Sequence, residues 1–289
     1  MFKKKENINN NKQIFFKDLF SHIKQDNIAM LSSQTAFNFV VALVPFLVVA
    51  INLILFFASS EILTIQEYIN KLPEELANIA NELFYFIINQ KSTSALSLGI
   101  IITIWSSSKG VKALINSLNK SFETEDNRGF IYNQLKSIIF TILLIIFIMV
   151  ALGGVVFGDL ILSWIVSFFK LELNNFSRSL IYFLKAIIPL ILMISIFTSI
   201  YLFGPTFKQH KIPPFKPCFI GGVVSTIGCT IITYAYSFYI NNFGNLSSVY
   251  GPLMGIMILF LWLNYTVLII IFSGEVAATL LRLNYDIKK

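Results

Sequence analysis

Residues 217–274 read PCFIGGVVSTIGCTIITYAYSFYINNFGNLSSVYGPLMGIMILFLWLNYTVLIIIFSG, 58 residues without one charged side chain. A bilayer core of about 30 Å takes about 20 helical residues at about 1.5 Å each, so the stretch is far too long for one crossing and long enough for two. Asn241 to Pro252, NNFGNLSSVYGP, supplies the division. Asn, Gly and Ser open a turn there, and Pro252 suits the first turn of a new helix. Two crossings follow, 218–240 and 253–274. They are expected to be helices, because strands of a membrane barrel would alternate apolar with polar residues and these runs do not.

Working outward from that stretch, uncharged windows at 36–58, 92–108, 137–158 and 186–203 predict further crossings, the shorter second one being carried on to 112 to span the bilayer (92–112). Composition agrees: the chain of 289 residues is 56% hydrophobic and only 13% charged, about half the charge of an ordinary soluble domain. The expected fold class is all-α, a polytopic membrane protein with a bundle of six transmembrane helices plus amphipathic interfacial and external helices. The flanking segments are 1–35, 59–91 between the first two crossings, and the tail 275–289. A cleaved signal peptide is not expected, since 35 residues precede a span of 23. Cys218 and Cys229, eleven apart in one apolar run, suggest neither a disulfide framework nor a metal site.

Lysine and arginine set the expected orientation. Seventeen of the 22 lie in the N-terminal tail, the second and fourth connections and the C-terminal tail; five lie in the other three connections. Both termini are therefore expected in the cytoplasm. The net charge of +7 reads as topology and as attraction to anionic lipids of the inner leaflet, and no nucleic acid is needed to explain it. Two segments outside the crossings are amphipathic. IFFKDLFSHIK, Ile14 to Lys24, spaces apolar residues for a helix lying on the cytoplasmic leaflet. Residues 61–89 repeat apolar positions on both sides of Pro73, as two short helices joined there would.

Polar groups near the crossings are the candidates for function. Lys109 falls about four residues inside the edge of the second crossing, and Glu275 one turn past the end of the sixth. Both face the cytoplasm in this topology, at comparable depth, so they are expected either to pair near an inner gate or to sit at the interface as ordinary snorkelling charges. Asn38, Asn52 and Asn264 lie within spans, where amides bond between helices. Asp159 lies on the opposite rim, and Pro45 and Pro189 interrupt the first and fourth crossings.

Several stretches together resemble the YihY/BrkB family of bacterial inner-membrane proteins. They are AFNFVVALVPFL, IWSSSKGVKALINSLNKSFETEDNRGF, GPTFKQHKIPPFKPCFIGG and NFGNLSSVYGPLMGIMILFLWLNYTVLIIIFSGEVAATLL. The most specific positions are Lys109 and Gly110 with Asn119 in one run, then Glu125, Arg128 and Gly129, then Tyr250 and Gly251, and finally Gly274 with Glu275. In the first crossing the family usually shows Tyr, where this chain has Phe37 followed by Asn38. Members have carried the labels virulence factor and ribonuclease, and some are thought to move lipid-like or amphipathic compounds across the inner membrane. The resemblance thus implies transport or flipping of such a compound, and the alternative is a non-transporting protein that organises the envelope. Ribonuclease chemistry needs a metal-holding cluster or a general acid and base on a wet surface. The two histidines, His22 and His210, lie in different segments, and Glu123, Glu125 and Asp126 form one turn without further ligands. No enzyme activity, metal or cofactor is expected.

Overall fold

The computed structural model describes residues 3–4, 12–57, 93–124, 129–156, 175–207, 212–243 and 252–286, with scattered residues between 66 and 85. Its helices are α1 (Lys12–Gln25), α2 (Ile28–Phe57), α3 (Thr93–Ser121), α4 (Phe130–Val156), α5 (Asn175–Phe203), α6 (Phe215–Phe243) and α7 (Pro252–Asn284). Each of α2 to α7 overlaps one expected crossing and is longer than it, extending past it at one end or both. The two longest overruns at C-terminal ends decide the site below. α3 continues nine residues past 112, to Ser121, and α7 ten past 274, to Asn284.

Apolar length is clearest in Phe215–Tyr239 and Met257–Asn284, each long and apolar enough to cross a bilayer. Shorter apolar helices span Ile28–Leu43, Phe130–Ile146 and Ile187–Phe203. Pro45 and Pro189 are accommodated inside α2 and α5. α1 ends at Asn27, whose positive φ of 52° is a left-handed conformation that asparagine tolerates. The Asn27 carbonyl then accepts the amides of Met30 and Leu31 at 2.9 and 3.1 Å, which starts α2.

Neighbouring helices follow the spatial order α4, α3, α2, α7, α6, α5, with α7 also touching α1, α3 and α5. The bundle has an apolar core around Leu114, Leu118, Tyr201, Ile271 and Leu281, but unlike a soluble fold it also exposes large apolar side chains and buries small hydroxyl residues. Ile139, Leu143, Ile191, Ile231, Phe238 and Met257 are exposed, while Thr35, Ser108, Thr141, Ser225, Ser273 and Thr279 are buried. Such a surface is unfavourable in water and matched by lipid, and small hydroxyl residues inside let helices approach and bond to one another. Thr35 and Ser117 bond between α2 and α3 at 3.1 Å. Tyr201 of α5, wholly buried, bonds Ser225 of α6 and donates to the Ile270 carbonyl of α7 at 2.7 Å. At Gly222 a Cβ would fall onto the Thr198 hydroxyl and 3.0 Å from the Ile194 carbonyl oxygen, so α6 meets the α5 backbone at closest range there.

The chain ends converge. Lys3–Lys4 (β1) pairs antiparallel with Tyr285–Asp286 (β2), Lys3 opposite Asp286. Both termini therefore lie at one end of the bundle, beside α1 and the end of α7. In the segment after α2, Gln66 donates to Tyr85 and Asn81 donates to Asn70 at 2.8 Å, an antiparallel pairing of the two arms flanking Pro73.

Candidate functional site

Two polar assemblies stand out in this apolar bundle, and both involve α3. The first is a layer of charge where α1, α3 and α7 end together. On α7, residues 275, 279 and 282 recur at one helical face, which stacks Glu275, Thr279 and Arg282. The Arg282 guanidinium reaches Glu275 Oε2 at 3.4 Å, Thr279 Oγ1 at 3.0 Å, Asp18 Oδ2 at 3.2 Å, Glu123 Oε1 at 3.6 Å and the Ser121 carbonyl at 3.1 Å. His22 adds contacts to Glu123 at 3.3 Å and Asp18 at 3.6 Å. Lys120 donates to the Asp26 main-chain oxygen at 2.9 Å. One cation thus ties the end of α7 to α1 and to the end of α3.

Glu275 is the wholly buried member, 0% exposed, and its Oε1 has no hydrogen-bond partner. The Ser121 hydroxyl, also 0% exposed, has none either. Of the two alternatives open from sequence, pairing with Lys109 or placement at the interface, Glu275 takes neither: it is buried and pairs with Arg282, while Lys109 is exposed along another part of α3. The difference is one of depth. Because α3 runs on to Ser121, the residues level with Glu275 are Ser121 and its neighbours, about 18 Å along the helix from Lys109.

The second assembly is an open cleft of about 300 Å³ between α2 and α3. Gln34 and Asn38 line it from α2; Lys109, Lys112 and Asn116 line it from α3, and Thr35 and Ser117 form its floor. Lys112 is held by Gln134 at 3.4 Å and lies 4.4 Å above the Phe130 ring, while Gln134 in turn donates to Ser108 at 2.7 Å. The fold thus brings Asn38 and Lys109 together, as sequence spacing could not. Asn38 donates within its own helix, to the Gln34 carbonyl at 2.8 Å, rather than between helices. Asn264 does bridge: it accepts from Ser32 at 3.2 Å and donates to Ser33 at 3.1 Å, joining α7 to α2.

The other family-like positions divide into structural and undescribed. Asn119 is buried and accepts the Thr206 amide at 2.7 Å and the Thr124 hydroxyl at 3.0 Å, locking the end of α3 to the chain leaving α5. Lys136 of α4 reaches the same chain at Gly204 and at Thr206, 3.1 Å away. Gly110 and Gly274 are points of close packing: a Cβ would come 2.8 Å from the Phe39 ring and 2.6 Å from Leu118, respectively. Gly129 has open space around it. Glu125, Arg128, Asp159, Tyr250, Gly251 and the Asn52 side chain lie outside the described residues. Asp18, Asp26, Ser121 and Arg282 carry no functional reading from sequence, and Glu123 enters there only as part of an acidic turn without further ligands. The seven-residue step from Glu275 to Arg282 was the one available signal.

Among the described residues no group of three or more His, Cys, Asp or Glu side chains is arranged to hold a metal ion. Residues 19–288 match the family described as Virulence factor BrkB.

The chain belongs to the BrkB family.

Among its relatives, the ribonuclease-like protein YfkH of Bacillus subtilis is 32% identical over 92% of this chain and 94% of its own length. A UPF0761 membrane protein of Psychromonas ingrahamii is 29% identical over 89% of this chain and 84% of its own, and one of Cronobacter sakazakii is 25% identical over 92% and 88%. No solved structure matches. Family, apolar helices and an exposed apolar surface agree on a multi-pass membrane protein of the BrkB family.

Proposed function

We propose that this BrkB-family protein moves a lipid-like amphiphile with an anionic headgroup across the cytoplasmic membrane, and that the cleft between α2 and α3 receives the headgroup. The supporting observation is the cleft's lining. Two ammonium groups, Lys109 and Lys112, stand with the amides of Gln34, Asn38 and Asn116 beside a bundle surface that is otherwise rich in exposed Ile, Leu and Phe. An anion at the mouth would gain charge-assisted bonds from both lysines, while its acyl chains would remain against the apolar helix faces. In the orientation set by the basic loops, the cleft opens toward the inner leaflet, where anionic lipids concentrate.

Reconstituted full-length protein tests this directly. Vesicles with fluorescent anionic or zwitterionic lipids should show protein-dependent movement favouring the anionic set. Lys109→Gln with Lys112→Gln should lower that rate about tenfold, the effect of losing roughly 1.4 kcal/mol of headgroup binding, without loss of folded protein. Equal movement of both lipid classes would refute the headgroup assignment. No movement of any lipid or amphipathic solute would favour the envelope-organising alternative.

A further inference from the structure

The geometry points to a proton-binding site at Glu275, shared with Asp26 and Ser121, in the charged layer at the end of the bundle that carries both chain termini. It stands apart from the lipid-handling cleft, which contributes none of its residues. Glu275 follows the last predicted crossing and is fully enclosed, yet only one of its oxygens is engaged, by the Arg282 guanidinium at 3.4 Å. That guanidinium is divided: it also reaches Asp18 and Glu123. The Asp26 carboxyl and the Ser121 hydroxyl face the Glu275 carboxyl, and the residue Asp26 is itself 8% exposed.

The charged groups that meet at this layer enter the balance, Lys12, Lys17 and Lys24 of α1 and Lys109 and Lys112 of α3 making no contact with Glu275. From α1 and its junction with α2 come Asp18, His22 and Asp26; from the end of α3 come Lys120 and Glu123; from α7 itself comes Arg282. Lys120 spends its ammonium on the Asp26 carbonyl. Three carboxyl groups therefore share one guanidinium and a fourth, that of Asp26, faces Glu275, with His22 already occupied at Asp18 and Glu123. Two facing carboxyl groups in a dry layer resist being ionised together, and a buried oxygen without a partner is costly. A proton on Glu275 Oε1 removes both penalties. It neutralises one carboxylate and turns the orphaned oxygen into a donor to Asp26 or to the orphaned Ser121 hydroxyl.

The step is simple in its balance. Water at the bundle end supplies the proton, the carboxylate becomes a carboxylic acid, and no other bond changes. Its release restores a charge that competes with Asp18 and Glu123 for Arg282. Proton occupancy is thereby linked to how firmly α7 is tied to α1 and α3.

Infrared difference spectra of the full-length protein in lipid nanodiscs, titrated from acid to alkaline pH, test this. The wild type should show the carbonyl band of a buried carboxylic acid, and Glu275→Gln should lose it while keeping its size-exclusion profile. Asp26→Asn should keep the band but move its midpoint down by about one pH unit, because a facing negative charge has been removed. This second variant decides the matter if Glu275→Gln does not fold. A band that survives in Glu275→Gln, or a midpoint that Asp26→Asn leaves in place, would overturn the site. So would a midpoint that follows sodium at constant ionic strength, which would make a metal cation the ligand.

Discussion

Arg282 is a single side chain on which three helices depend. Its contacts to Asp18 and Glu123 are partly solvated, those carboxylates being 25% and 39% exposed, so they contribute modestly. Its contact with Glu275 is different, because Glu275 is sealed from solvent and loses its cationic partner if the guanidinium goes. Removing one member of a buried pair costs about 3–5 kcal/mol, whereas replacing both with apolar residues is often neutral. At pH values where Glu275 is ionised, Arg282→Ala should therefore lower thermal stability in detergent markedly, and Arg282→Met combined with Glu275→Leu should recover most of the loss. A double variant no more stable than Arg282→Ala alone would show that Arg282 acts through Asp18 and Glu123 instead. The pairing was hidden from sequence reading for a definite reason. Depth was judged from where the apolar window ends, and a helix does not stop where its hydrophobicity does.

Among elements, α6 shows how packing is settled by small residues rather than by hydrophobicity. Lipid is as apolar as leucine, so helices associate through close fit and interhelical bonds. Gly222 admits the α5 backbone to van der Waals range, and the nearest obstacle to any larger residue is the Thr198 hydroxyl. Gly222→Ala should destabilise the bundle by about 1–3 kcal/mol through overpacking. Thr198→Ala in the same chain should recover part of that loss, leaving the strain against the Ile194 carbonyl. A double-mutant cycle of thermal midpoints measures the coupling, and additive losses would contradict this contact. Sequence located α6 well and said little about its rotation. Its apolar residues surround the helix, so no stripe marks the side that meets α5 and α7.

For the whole molecule, the pairing of Lys3–Lys4 with Tyr285–Asp286 puts both ends on one side of the membrane, and the basic loops favour the cytoplasm. Cysteines introduced at Lys4 and at Asp286 should thus resist a membrane-impermeant thiol reagent in intact cells and react after lysis. The native thiols interfere little, since Cys218 and Cys229 are buried. Labelling of either introduced cysteine from outside would overturn the orientation, and with it the cytoplasmic opening of the cleft.

The sequence by itself determined the solvent of this protein and the order of its apolar helices. Both follow from local sums: enough consecutive apolar residues to span hydrocarbon, interrupted by Asn, Gly, Ser and Pro, with cations massed in alternate connections. The tertiary structure alone decided which polar groups meet. Glu275 finds Arg282 rather than Lys109, Asn38 joins Lys109 and Lys112 at one cleft, and Asn119 reaches across 87 residues to Thr206. Those partnerships depend on how far each helix runs beyond its apolar window and on its rotation about its own axis. Neither quantity is fixed by hydrophobic length, because a lipid-facing helix gains the same transfer free energy whichever way it is turned.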